Sequence, residues 1–340
     1  MTTSKSIPFT GKNIVLIDQN KNYALHTVES MLGKGLSHWK DWFCSAGLNS
    51  LYIDYDGNIY NAVCREGGII GNIYTITHDL KSNKEWIVCS KNLCTCGADM
   101  EIPKVKQQEQ VVEFFKDGIV EEFKLDSQHD TVKADMVIST NDTNFKTITW
   151  ALGRRCNFDC WYCPESDHNN HEAHKTLEQM VSAYHSIDQY WIHGARVKFS
   201  MLGGELTVYK DYLPFVQYLY SIGHRSITTT NGSRNAEYYC ELAAVSDVCF
   251  SIHLNYVKEQ GVEKFLDSVE QAIVGRGSNW VNVRIMVDPG NLDTAQSVYK
   301  KFKERIGDRC PINVKPVHPA PNQPLFKYTP HEIIWIRNPA

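Results

Sequence analysis

The stretch Thr147-Ile-Thr-Trp-Ala-Leu-Gly-Arg-Arg-Cys156-Asn-Phe-Asp-Cys160-Trp-Tyr-Cys163 decides how this chain is read. Its opening, TITWAL, is β-branched and apolar, the composition of a strand. Its close places three cysteines at x3 then x2 spacing on the loop that leaves that strand. Three thiolates converging from one loop can hold three irons of a [4Fe-4S] cluster and leave the fourth iron open to another ligand. Zinc also accepts cysteines at short spacings, but a structural zinc site wants four ligands, and only His168, His171 or His174 in DHNNHEAH could supply one nearby. Their i, i+3, i+6 spacing does not hold one helical face, and the Asn-rich context reads as a solvated loop. Arg154 and Arg155 could offset the charge of a thiolate-ligated cluster or serve as ordinary surface charges.

Downstream, strand and helix patterns alternate. Thr176-Leu-Glu-Gln179 is a capping box opening the helix through MVSAYHSI. ARVKFSML is the next strand, DYLPFVQYLYSIG a helix ending at Gly223, and SITTT a strand closed by Asn231-Gly232. NAEYYCELAAV, VCFSIHL, VEKFLDSVEQAIVGRG, WVNVRIMV, DTAQSVYKKFKERIG and INVKPV continue the series, about six units in all. Such alternation predicts an α/β domain with a parallel sheet, a partial (β/α)6 TIM-like barrel over residues 146–320. A doubly wound open sheet gives nearly the same pattern, so periodicity leaves both open. In either, the loops after the strands carry the chemistry.

The triplet, with Tyr162 before its last cysteine, resembles the signature of the radical S-adenosylmethionine (SAM) superfamily, whose members carry a CxxxCxxC loop after the first barrel strand. Gly203-Gly204-Glu205, after ARVKFSML, is similar to that family's GGE motif. The glycines let backbone approach a ligand, and a carboxylate or carbonyl accepts from the methionine ammonium. The resemblance implies a catalytic [4Fe-4S] cluster on Cys156, Cys160 and Cys163 that binds SAM, whose reductive cleavage yields a 5′-deoxyadenosyl radical that abstracts a substrate hydrogen. It further implies cofactor contacts at Tyr162, Asn231, Ser251, His253, Arg284, Met286 and Val317-His318, with Ser251 and the segment near Val317 preferred. VNVRIMVDPG lacks the family's common glycine motif on the fifth strand.

The first ~100 residues differ in character. LYIDY and NIYNAV alternate apolar and polar residues around Asp56-Gly57, a two-residue hairpin signal. Cys44 and Cys64 bracket that hairpin, Gly71-Asn72 follows, and Cys89, Cys94 and Cys96 come next. The order is similar to the SPASM and twitch domains of radical SAM enzymes, which usually follow the barrel and here would precede it. The resemblance implies a small cysteine-rich α+β module over residues 1–97 holding a second, auxiliary [4Fe-4S] cluster. Cys44, Cys64, Cys94 and Cys96 are the favoured ligands and Cys89 the alternative. A four-thiolate zinc site is the rival. Residues 98–145 read as a linker with a hairpin about Asp117-Gly118 or a short helix, and 321–340 as a tail.

Composition sets the bounds. The chain has 340 residues, net charge −4 and eleven cysteines. That charge argues against a polybasic nucleic-acid or membrane binder. No apolar run approaches the ~20 residues of a membrane span, and MTTSKSIPFT lacks the apolar core of a signal peptide, so a cytoplasmic location is expected. In such a compartment clustered cysteines point to metal or redox chemistry rather than disulfides. Cys240, Cys249 and Cys310 read as core residues. The expected function is a radical SAM oxidoreductase that oxidises or crosslinks a peptide or protein, served by a flavodoxin- or ferredoxin-type reductant. The alternatives are a dehydrogenase or epimerase of a small sugar, alcohol or nucleoside, a zinc-binding scaffold, and a methyltransferase with a nucleophilic cysteine.

Overall fold

The computed structural model of the chain describes residues 14–20, 23–80, 82, 85–107, 133–139, 145–165, 167–257, 259–317 and 326–339. The hairpin expected about Asp117-Gly118, and His318, lie outside them. The chain divides into two compact units, Met1–Thr149 with Ser186–Val197, and Trp150–His185 with Lys198–Ala340.

The first unit contains β1 (Ile14–Ile17), β2 (Tyr23–His26), α1 (Val28–Gly33), β3 (Phe43–Cys44), β4 (Ser50–Ile53), β5 (Asn58–Tyr60), β6 (Gly71–Asn72), β7 (Ile87–Val88), α2 (Gly97–Met100), β8 (Lys104–Val105) and β9 (Met136–Ser139). An antiparallel sheet runs β2-β1-β9-β8-β3-β7. Both β8 and β9 fall in the stretch read as a linker. They join that sheet because Val105 and Val137 are apolar and fully buried, Val137 in one core with Ile14, Leu16, Met31, Trp39 and Met100. The amino-terminal module therefore extends past residue 97. The expected hairpin forms between β4 and β5, but its loop is longer than a two-residue turn. The Asp54 amide pairs with the Asn58 carbonyl, and Asp54 Oδ1 accepts from the amides of Asp56 and Asn58, leaving three residues to reverse the chain. Gly57 closes it at φ 81°, a left-handed position that suits glycine. β6 pairs with β5 as a third strand.

The remaining elements, which fall mostly in the second unit, are β10 (Lys146–Gly153), α3 (Leu177–Ile187), β11 (Val197–Gly203), α4 (Tyr212–Ser221), β12 (Arg225–Thr230), α5 (Ala236–Val245), β13 (Asp247–His253), α6 (Glu259–Gly275), β14 (Val281–Val287), α7 (Leu292–Ile306), β15 (Ile312–Pro316) and α8 (Pro330–Arg337). The capping box opens α3 as predicted, with Thr176 and Gln179 exchanging side-chain-to-amide bonds. Strands β10 to β15 stand in sequential order, and the ladders from β11 to β15 are parallel.

That order separates the two architectures left open by periodicity. A doubly wound sheet reverses its strand order and covers both faces with helices, so both faces are apolar. Here the winding never reverses, and the faces differ. Phe199, Thr228, Val248, Phe250, Val281, Val283 and Ile285 share one face and are 0% exposed. Phe250 packs there against Tyr239 of α5 and Phe265 of α6, with ring centroids 4.9 and 5.6 Å away. The opposite face carries Thr229, Cys249, Ser251, His253, Asn282, Arg284, Met286, Asn313 and Lys315. One apolar helix-bearing face and one polar face is the arrangement of a sheet curled about a lumen, and it fits a partial TIM-like barrel. Among the described residues no helix is long and apolar enough to cross a membrane.

Candidate functional site

Every chemical motif of the second unit leaves the carboxyl end of a strand. The cysteine loop follows β10, Gly203-Gly204-Glu205 ends β11, Asn231 follows β12, His253 ends β13 and Val317 follows β15. Parallel winding dictates this convergence, since all strand ends of one sense share an edge.

The loop after β10 is held by its own chain. Cys156 N donates to Asn169 O and Asn169 N to Arg154 O, while Arg154 N donates to the Glu172 carboxylate. Arg155, a candidate counter-charge, commits Nη1 to the Glu172 carbonyl at 2.8 Å and its amide to the Tyr209 hydroxyl at 3.1 Å. Burial raises all three thiols, Cys156 upward, Cys160 to about 11 and Cys163 to about 12, with neighbouring sulfurs adding to the last two. Such thiols keep their protons at neutral pH unless a metal takes the proton's place, which is the donor chemistry of a cluster loop. The sulfurs share one loop without standing at ligand spacing, and among the described residues no group of three His, Cys, Asp or Glu side chains does. Among the described residues no fourth ligand completes a zinc set here. The His168 ring nitrogens face Asp159 Oδ1 and Pro164 O, each at 3.0 Å.

Gly203 and Gly204 owe their identity to packing. Gly204 N donates to Gly153 O at 3.0 Å and Glu205 N to Arg155 O at 2.8 Å. A Cβ on Gly204 would fall under 3.0 Å from the carbonyls of Arg154 and Arg155, and one on Gly203 would meet Gly153 O at 2.6 Å. The glycines therefore bring β11 against the cysteine loop itself, a use that spacing alone does not reveal. Glu205 is 1% exposed. Its Oε1 accepts from Thr207 N, Thr207 Oγ1 and Thr230 Oγ1 at 3.1, 2.6 and 2.8 Å, and its Oε2 from Asn231 N. Burial pushes this carboxyl up, against the pull of those donors. The contact implied between Glu205 and a methionine ammonium is set against four donors from the chain itself, while Gly203 and Gly204 stay partly exposed. Asn231 extends the network, donating Nδ2 to Asn157 Oδ1 inside the cysteine loop at 2.9 Å.

On the polar face, Ser251 and Arg284 are register partners, as are His253 and Met286. Buried Arg284 Nε has no hydrogen-bond partner among the described residues. Burial holds His253 down to about 4, so its ring is neutral. Its Nδ1 meets the Tyr162 hydroxyl and lies 3.8 Å from Cys160 Sγ. Val317 is fully engaged through its backbone: its amide donates to Val287 O, and its carbonyl accepts from the Tyr328 hydroxyl, which also reaches Val287 O. Phe326 meets exposed Trp161 of the cysteine loop with tilted rings, centroids 4.8 Å apart. The segment read as a tail thus contributes to the mouth, a role without motif or periodicity to announce it.

The first unit carries five free cysteines, and among the described residues no three of them stand at ligand spacing. Cys44 lies on β3, Cys64 follows the hairpin, and Cys94 and Cys96 precede α2. Burial raises all four thiols, Cys64 and Cys94 to about 12. Cys44 and Cys96 add to the rise at Cys94, and Cys94 adds to the rise at Cys64. Two residues that sequence reasoning missed share this site. Asp99 accepts from the amides of Val63 and Cys64 at 3.0 and 2.6 Å, and Lys104 lies opposite Cys44 across the β3–β8 ladder.

Residues 150–314 match the family model described as the radical SAM superfamily. Solved structures similar to the chain include SuiB of Streptococcus suis, at 13% identity and TM-score 0.39, covering 55% of this chain and 43% of that one. A second is a histidine-tagged anSMEcpe with bound AdoMet, at 20% identity and TM-score 0.39, covering 54% of each. The aligned part thus spans about half the length of those chains. No curated protein matches the chain.

Proposed function

We propose that this chain, which carries a radical SAM domain over residues 150–314, is an oxidoreductase that cleaves SAM reductively and removes a hydrogen atom from a peptide or protein substrate. Cys156, Cys160 and Cys163 would hold the catalytic [4Fe-4S] cluster. When bound, that cluster supplies the electron that splits the SAM sulfonium to a 5′-deoxyadenosyl radical. The observation that carries the reading is the meeting of the cysteine loop with Gly203-Gly204-Glu205 at the carboxyl edge of a sheet wound one way.

The chain's own residues do the binding. Arg284, with its Nε unmet, offers a guanidinium to the SAM carboxylate, and Ser251 beside it adds a hydroxyl. Glu205 fixes Asn231 and through it Asn157, so the cysteine loop and β12 keep one relative position. Neutral His253 and Tyr162 wall the loop with stacked rings 6.0 Å apart. The peptide substrate and the second cluster rest on the likeness of the first unit's cysteines to auxiliary-cluster domains. A flavodoxin- or ferredoxin-type protein is the proposed electron donor.

The test is anaerobic reconstitution with iron and sulfide, then SAM and dithionite. We expect 5′-deoxyadenosine from the parent and none from Cys160→Ala. Arg284→Met should raise the SAM concentration for half-maximal cleavage about tenfold, the loss of one charge-assisted pair. Colourless, zinc-loaded protein that leaves SAM intact would replace this reading with a scaffold.

A further inference from the structure

The first unit buries a cation beside its cysteines. Lys104 is 2% exposed, and its Nζ donates to the carbonyls of Asp99 and Ile102 at 2.5 and 2.8 Å. The ammonium also sits 4.5 Å from the centre of the Trp39 ring, so its position is fixed from three sides. Directly opposite residues of an antiparallel ladder project to the same face, and Lys104 is opposite Cys44. Cys94 packs against the same core as Trp39, whose ring the ammonium faces.

Burying an ammonium is costly unless negative charge meets it. The Asp99 carboxylate accepts from the amides of Val63 and Cys64 and also feels Lys104, so it meets part of that charge. The rest of the lining is apolar: Trp39, Met100 and Val137 belong to one core, where a methionine in place of Lys104 would pack without that cost. A fixed cation opposite Cys44 favours a thiolate there over a thiol.

We propose that Lys104 is the built-in counter-ion of a thiolate-ligated iron-sulfur centre in the first unit, placed against Cys44 and Cys94, and that it raises the centre's reduction potential. This rests on the reading of those cysteines as cluster ligands. Reduction adds one electron to the centre, and a fixed positive charge in a low-dielectric site favours the more negative form. Lys104 is thus a positioning residue of charge, not a ligand.

The experiment uses the full chain with Cys156, Cys160 and Cys163 replaced by alanine, so that iron counts and redox titration report the first unit alone. In that background Lys104→Met should retain iron and titrate at a more negative potential, while Lys104→Arg stays near the parent. Iron lost from the methionine variant but kept by the arginine variant also supports a role for the charge, in assembly. Equal potentials in all three proteins, or iron lost from both variants, overturns it. A parent background without iron removes the auxiliary centre and the counter-ion together, and the full chain's SAM cleavage then tells whether the catalytic reading survives.

Discussion

Gly204 shows how much one missing methyl can carry. Its amide is bonded to Gly153 O, and the space where a side chain would begin is filled by the carbonyls of Arg154 and Arg155. Gly204→Ala must therefore push β11 away from the cysteine loop. Overpacking of this kind costs about 1–3 kcal/mol, and we expect a lower urea midpoint together with weaker iron retention in the second unit. An unchanged midpoint would show that the contact is slack. Spacing made the three cysteines and the GGE triplet legible, because both are local patterns tied to a strand end. The motif singles out Glu205 but does not reveal its partners. Thr230 and Asn231 lie 25 and 26 residues away, and only the parallel pairing of strands brings them to its carboxylate. The same holds for Lys104, which meets Cys44 across a two-residue ladder that no periodicity announces.

Among the elements, α8 is the one least foreseen. Thr329 and Glu332 form a reciprocal capping box, and Glu332 also accepts from Gly290 N at 2.7 Å, clamping the helix to the loop after β14. Those backbone donors hold the Glu332 carboxyl below its ordinary value. A depressed carboxyl stabilises the fold above its unfolded value, near ~4.3, and that stability is lost as pH falls through the folded value. Glu332→Gln should therefore destabilise the chain at pH 7 by about 1 kcal/mol, on the scale of a lost cap. The gap between variant and parent should close as urea titrations move below pH 4, and a gap that persists there would assign the effect to packing. The alternating helices and strands from β10 to β14 were legible because their apolar residues recur with the period of each element. The short strands β8 and β9 were not, since two and four residues show no period.

For the whole molecule, the instructive fact is that each of the two compact units carries its own cysteines. If each serves a separate centre, damage to one should spare the other. Cys64→Ala should lower the iron content while leaving SAM cleavage measurable, and an undiminished iron count would remove Cys64 from the ligand set. The barrel-like architecture itself was half legible. Alternation predicted a parallel sheet, but the direction of winding is a property of crossovers, and it became readable only from strand order and from the contrast between the sheet's two faces.

The bonds from Gly204 to Gly153 and from Glu205 to Arg155 fasten the cysteine loop without using a single sulfur. A loop held by such bonds keeps its place when its sulfurs are unoccupied. If that loop holds a cluster, a protein emptied of it should take a fresh load without passing through an unfolded state.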